Sequence, residues 1–420
     1  MRLPIHRDKQ SPAAEQTPFT VRQSLRALPL SIWALGLGSM FMDISSELVH
    51  SLLPVFMASI LGASMVTIGL VEGIAEATAA ITKVFSGVLS DYLGKRKFIV
   101  ILGYGLSALT KPVFPLATSI WWVFGARFVD RMGKGIRGAP RDALVADITT
   151  SELRGAAYGL RQSLDSVGAF IGPLLALLFM VWLASDIKAV LWVAVVPAFI
   201  AVALLIVAVR EPDSGSLLPG KGAPIMLSDV KRLHLRYWLI VLLGAVFTLA
   251  RFSEAFLVLR AQSVGLAIGF VPLVMIVMNV VYAIAAYPAG VAADRMSRRT
   301  LLLFGLAMLL FADLVLALAA TPWQVFAGAA LWGLHMGLTQ GLLSKLVADN
   351  VPAELRGTAF GIFNLVTGVA LLLASVVAGS LWELIGPFAT FIAGAAFAAI
   401  AAVGIITYRA QPQATQPQAT

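Results

Sequence analysis

Residues 41–50 read FMDISSELVH, which sets Asp43, Glu47 and His50 in a stretch otherwise suited to hydrocarbon. At about 100° per residue along a helix, the three fall within roughly 60° and form one narrow polar stripe. Ionisable groups at bilayer depth are costly, so each is expected to face a cavity or a partner. Carboxylates so placed can load a proton from one side and lose it on the other, and an imidazole beside them can extend the relay. Asp43 and Glu47 are therefore the expected proton carriers. His50 is a third candidate, although a histidine alone on such a face is as readily a packing residue. The same residues could serve an intramembrane enzyme, but no HExxH, GxSxG or paired-Asp protease signature accompanies them. No catalytic residue, metal site or cofactor is expected.

More charge lies nearby. Glu72, Glu76 and Lys83 fall within roughly 40° on a second helix. Arg127, Asp130, Arg131, Lys134, Arg137, Arg141 and Asp142 spread over roughly 140° of another, with an excess of positive charge. Arg161 and Asp165 stand at i and i+4, and Arg251 and Glu254 recur later in the chain. On the functional reading these groups surround a substrate and proton cavity, and Lys83, Arg127 or Arg131 is the base released when an acid takes up a proton. The plainer reading is a structural network of salt bridges. His335, Gln340 and Asn364 are further polar contacts.

The elements that must position these groups follow from composition. Hydrophobic residues make up 59% of 420 and charged residues 13%, with a mean hydropathy of +0.88, far outside the soluble range. Apolar runs long enough to cross roughly 30 Å of hydrocarbon predict twelve spans, near 31–61, 66–90, 97–117, 121–146, 156–183, 189–209, 237–260, 269–292, 300–320, 323–347, 357–383 and 387–408. The expected chain is an all-α integral membrane protein: a cytoplasmic segment 1–30, a six-helix bundle 31–209, a cytoplasmic linker 210–236, a second bundle 237–408, and a disordered tail 409–420. Net charge is +9. Its Lys and Arg gather on the loops that share a side with the N-terminus, whereas Lys188 alone lies in the loops opposite, which places both termini in the cytoplasm. That distribution excludes a nucleic-acid patch. Without cysteine there is no disulfide or thiolate chemistry, and GKGIRGAP lacks the P-loop pattern, which excludes ATP drive.

The halves repeat one another. GVLSDYLGKRK from Gly87 matches GVAADRMSRRT from Gly290, LVADITTSELRGAAYG from Leu144 matches LVADNVPAELRGTAFG from Leu346, and Trp121 and Phe124 recur as Trp323 and Phe326, all at offsets of 202 or 203. Such repeats are the signature of many secondary transporters, whose substrate site lies between the halves near the bilayer midplane. The positions 202 after the charged helix, Ala329 to Ser344, hold no Asp, Glu, Lys or Arg, so the fold does not demand those charges.

On these motifs the chain resembles the major facilitator superfamily over about residues 25–410. Gly87, Asp91, Gly94, Lys95 and Arg96 are similar to its loop 2–3 motif, with Tyr92 where Arg is usual. Gly290, Asp294, Arg295, Arg298 and Arg299 are similar to the second copy, with Ser297 where Gly is usual. Gly168, Gly172 and Pro173 resemble the motif of proton-coupled antiporters, with Ala176 and Leu177 in place of its closing Gly pair. Arg127 matches the Arg of the helix 4 motif, which the resemblance links to proton transfer, while Asp130 and Arg131 replace Gln and Gly. These motif residues, with Arg141, are expected to gate and to switch conformation. The resemblance implies two pseudo-symmetric six-helix bundles that alternate access by rocking. The expected function is proton-coupled export of a small molecule by a monomer in the inner (plasma) membrane, in contact with lipid. The alternative is proton-coupled uptake or exchange of a small anion, and a transport-inactive sensor is a remote third.

Overall fold

The computed structural model describes residues 21–93, 95–210, 230, 232–352 and 355–407, so the expectations for Gly94, the N-terminal segment to residue 20, most of the linker and the tail lie outside the described residues. Asp91 and Asp294 stand near the ends of their helices.

After a short α1 (Val21–Ala27), the first half contains α2 (Leu30–Val55), α3 (Met65–Leu93), α4 (Arg96–Thr110), α5 (Val113–Leu116), α6 (Ile120–Ile148), α7 (Arg154–Trp182), α8 (Ile187–Val193) and α9 (Val195–Ala208). The second half contains α10 (Leu235–Leu249), α11 (Ala255–Ser263), α12 (Leu273–Arg295), α13 (Arg298–Leu318), α14 (Pro322–Thr339), α15 (Leu342–Asp349), α16 (Arg356–Leu384) and α17 (Pro387–Thr407). Helices of 26 to 29 residues, such as α2, α3 and α7, reach about 40 Å and cross a bilayer with tilt.

Among the described residues, nine helices are long and apolar enough to span. The expected spans near 121–146, 237–260 and 323–347 are helical but not among the nine, for identifiable reasons. α6 carries the row of charges. The run 237–260 breaks between α10 and α11, and 323–347 breaks where Gly341 takes a positive φ of 72° between α14 and α15. In α2, Pro54 has no N–H to give the carbonyl of His50, and the helix widens into a π turn at Phe56–Ile60.

Helices pack mainly within each half, with α2 on α7, α3 and α4 on α6, α12 and α13 on α14, and α13 on α17; α3 packs on α16 and α7 on α12 across the halves. Hydrogen bonds between the halves, among the described residues, run from the loop at 61–64 to mid-depth. The Val66 N–H donates to Glu383 at 3.1 Å, the Gln262 amide to Ser59 at 2.7 Å, and the Asn279 amide to the Ala169 carbonyl at 3.0 Å. Among the same residues, none joins the halves on the side of Lys95 and Ser297. Among the described residues, the side-chain hydrogen bonds that latch the halves thus gather on one side.

Two motif glycines set the approach of α7 to α2. A Cβ on Gly168 would lie 2.6 Å from the Met40 carbonyl oxygen, and one on Gly172 would lie 2.7 Å from that of Ile44. Their absence lets the α2 backbone sit directly on α7 and brings Asp43 and Glu47 to the seam. Pro173 is buried within the continuous α7.

Candidate functional site

Two chambers sharing Glu47, Glu76, Lys134 and Leu371 occupy the centre. The first, about 350 Å³, lies between the halves, bordered by Glu47, His50, Glu76, Arg131 and Lys134 from the first half and by Arg251 and Glu254 from the second. The second, about 460 Å³, extends toward the side of Lys95 and is bordered by Asp43, Lys83, Arg141 and Asp165.

The acids are held unequally. Asp43 makes no hydrogen bond or ion pair among the described residues, and it faces Asp165 electrostatically across the α2–α7 seam. Glu47 Oε2 lies 3.5 Å from His50 Nδ1, and His50 Nε2 lies 4.0 Å from Glu72 Oε2. The imidazole therefore stands between a carboxylate on the chamber and one sealed behind it, and it joins the opening stripe to α3. Glu76 accepts from Arg131 at 2.9 Å.

Several residues expected in the cavity lie behind its wall. Glu72 is fully buried and accepts from Arg127, itself 1% exposed, at 2.7 Å. Asp130 accepts from Lys111 at 2.9 Å, and the same ammonium donates to Ser46 at 3.1 Å. Arg161 borders neither chamber; it donates to Asp165 at 2.7 Å and reaches Asp142 at 3.7 Å. For Arg127 and Asp130 the cause is that the roughly 140° arc of charge on α6 is wider than a chamber, so part of it turns against α3 and α4, where each charge must find a partner, Glu72 among them. Of the expected release partners, Arg131 faces Glu47 electrostatically but pairs with Glu76, and among the described residues neither Asp43 nor Glu47 makes an ion pair with Lys83, Arg127 or Arg131. Arg141, grouped with the gating residues, lies on the second chamber, donating to Ser39 at 2.7 Å and lying 3.4 Å from Asp142.

At the motif loops, Arg96 pairs with Asp147 and Arg298 with Asp349. The two pairs are related by the repeat offset, so the matched segments from Leu144 and Leu346 carried a signal for partners that motif matching alone did not supply. Arg299 donates to the Ile406 carbonyl, and Lys95 and Arg295 are exposed. Gly87 and Gly290 lie within α3 and α12.

Other residues of the central chamber were missed because they carry no charge. The break between α10 and α11 presents Phe252 and Ser253. It is a built feature: the Ser253 N–H donates to Ser375 Oγ at 3.2 Å, and Ser253 Oγ accepts from the Ala255 N–H at 3.2 Å. Phe252 packs on Trp332 and Phe391 at 5.4 and 5.5 Å between ring centroids. Trp332 lies 202 residues after Asp130 and Met336 lies 202 after Lys134, so the repeat pointed to both. His335 is buried instead, its Nδ1 2.8 Å from the Gly305 carbonyl. Among the described residues no cluster of His, Cys, Asp and Glu could hold a metal ion. The arrangement suits binding and proton exchange between two bodies.

Comparison with known proteins agrees. The family model described as Major Facilitator Superfamily matches residues 35–271 and 252–420. The chain is 32% identical to an uncharacterised MFS-type transporter of Methanocaldococcus jannaschii, over 92% of this chain and 97% of that one. It is 24% identical to the class H tetracycline resistance protein of Pasteurella multocida, over 67% and 72% of the two chains. Its fold is similar to the crystal structure of a point mutant of the nucleoside transporter NupG, with a TM-score of 0.74, 13% identity, and coverage of 89% of this chain and 98% of that one. With helices that cross a bilayer repeatedly, a polar chamber between two repeated halves and a family match along nearly its whole length, this chain belongs to the major facilitator superfamily and is a membrane transporter of small molecules, not an enzyme.

Proposed function

We propose that the chain is a proton-coupled antiporter that exports a small molecule, with Asp43 and Glu47 as the proton carriers. The observation that carries this reading is the placement of both acids on the adjoining central chambers, Asp43 without a polar partner among the described residues and Glu47 leading through His50 toward Glu72. Residues 31–209 and 237–408 act as two rocking bodies of six helices. The positive-inside pattern puts both termini in the cytoplasm and the latched side outside, in the inner (plasma) membrane. Each molecule has its own chamber, so a monomer suffices.

In the form latched outside, substrate enters from the cytoplasm. A proton arriving on Glu47 removes the charge that faces His50, Lys134 and Arg131, which changes the electrostatic balance between α2 and α6. The paired motif loops, Arg96–Asp147 and Arg298–Asp349, hold each half together as it moves. Similarity to the Pasteurella tetracycline resistance protein supports export over uptake.

The test uses cells producing the chain, loaded in turn with labelled tetracycline and a panel of labelled drugs and organic acids. Export predicts that at least one compound is retained less than in control cells and that a protonophore restores it. Asp43→Asn and Glu47→Gln are expected to lose the protonophore-sensitive component. If gradient-driven flux is unchanged in both variants, the proton-carrier assignment is wrong, and uphill accumulation inside the cell would reverse the direction.

A further inference from the structure

Lys134, from α6, and Arg251, from the break between α10 and α11, border the central chamber from opposite halves. Among the described residues neither side chain makes an ion pair or a hydrogen bond. The third cation there, Arg131, is occupied by Glu76 at 2.9 Å. Trp332 adds an indole N–H that is buried and has no acceptor. Of the acids on this chamber, Glu76 is held by Arg131, Glu47 stands 3.5 Å from His50 and faces Lys134 only at longer range, and Glu254 faces Arg251 without an ion pair. Acids and bases are thus balanced, three against three, yet Lys134 and Arg251 have no acceptor at ion-pair distance among the described residues, and a cation without a direct partner within the membrane is costly. A ligand that supplies acceptor oxygens gives both cations a direct partner, whereas a cationic ligand would sit against Lys134 and Arg251. Phe252 and Trp332, 5.4 Å apart, offer an apolar wall beside the cations.

We propose that the central chamber binds an organic anion, with its carboxylate held between Lys134 and Arg251 and its apolar body against Phe252 and Trp332. This rests on the reading of the chamber as the transport site and names the class of substrate. A chamber of about 350 Å³ is at the small end for ligand sites, which suits a one- or two-ring body. Because the two cations belong to different halves, the anion bridges them, and occupancy is linked to how the halves sit together.

The test is equilibrium calorimetry on the purified full-length protein, with no gradient present, using two probes that share one ring system: indole-3-propionate and tryptamine. The acid is expected to bind at least about tenfold more tightly than the amine. Arg251→Gln and Lys134→Gln are each expected to weaken the acid about tenfold, while Arg251→Lys retains most of the affinity and shows that charge, not folding, is what was lost. The inference is overturned if the amine binds as tightly as the acid, if neither probe binds, or if both neutral variants keep the affinity of the natural chain. Anion binding without proton-driven flux would overturn only the coupling proposed above, and proton-driven flux without anion binding only this inference.

Discussion

Arg96 holds Asp147 in the first half and Arg298 holds Asp349 in the second, and the edge-to-face pair Trp121–Phe124 returns as Trp323–Phe326. At the loops and helix starts the halves are copies. At the centre they differ: Arg127, Asp130 and Lys134 of α6 correspond to Ala329, Trp332 and Met336 of α14. One half presents a charged wall backed by ion pairs, and the other an aromatic and thioether wall. The same helix packing supports both, so the fold does not demand the charges. Buried charge has to be neutralised by a neighbour, and that need recruited Glu72 and Lys111 as partners that the second half does without.

The sharpest way to break this comparison is to unpair the charged wall. Arg127→Leu leaves Glu72 buried without its cation and is expected to destabilise the protein by about 3–5 kcal/mol, as is Lys111→Met through Asp130. The double variant Arg127→Leu with Glu72→Leu, which imitates the apolar second half, is expected to recover most of that loss. Denaturation of the detergent-solubilised chain checks both, and a double variant as unstable as the single one would mean that the fold itself requires the pair. Next in size is the seam between α2 and α7. Gly172→Ala drives a Cβ to 2.7 Å from the Ile44 carbonyl and is expected to cost about 1–3 kcal/mol, whereas Ala374, its counterpart in α16, already carries a Cβ. Cross-linking of cysteines introduced into α2 and α7 would report whether the two helices separate. The smallest effects are expected at the repeated loop pairs. Arg96→Ala and Arg298→Ala should each lower stability by less than about 1 kcal/mol, the second by less, because Arg298 and Asp349 are about 40% exposed and Arg96 and Asp147 less than 20%. Higher salt should shrink both effects, and a larger loss from Arg298 than from Arg96 would reverse the ranking by burial.

Much of this molecule was legible residue by residue. The limits of α3, α7 and α17, and of α2 together with the π turn that carries it to Ile60, fall within a few residues of the apolar runs, because a helix in hydrocarbon must satisfy its own backbone and so must be as long as the apolar stretch. The stripe of Asp43, Glu47 and His50 was legible from helical spacing. What spacing could not provide was the direction in which each stripe faces. Glu72 and Glu76 are four residues apart on one face of α3, yet one is sealed against Arg127 and the other reaches the chamber. Arg127 and Arg131, likewise four residues apart on α6, hold one acid each, and the chamber lies beside the second pair. The break at Phe252 and Ser253 was also hidden, since the Ser253 N–H is satisfied by Ser375, 122 residues away.

By itself, then, the order of residues determined the membrane setting, the repeated architecture and the set of charges from which a site is drawn, since each follows from local hydrophobicity and helical period. Only the tertiary structure decided which charges pair and which remain for a ligand. Pairing depends on distances of roughly 3 to 4 Å between different helices, and those are set by how the helices cross.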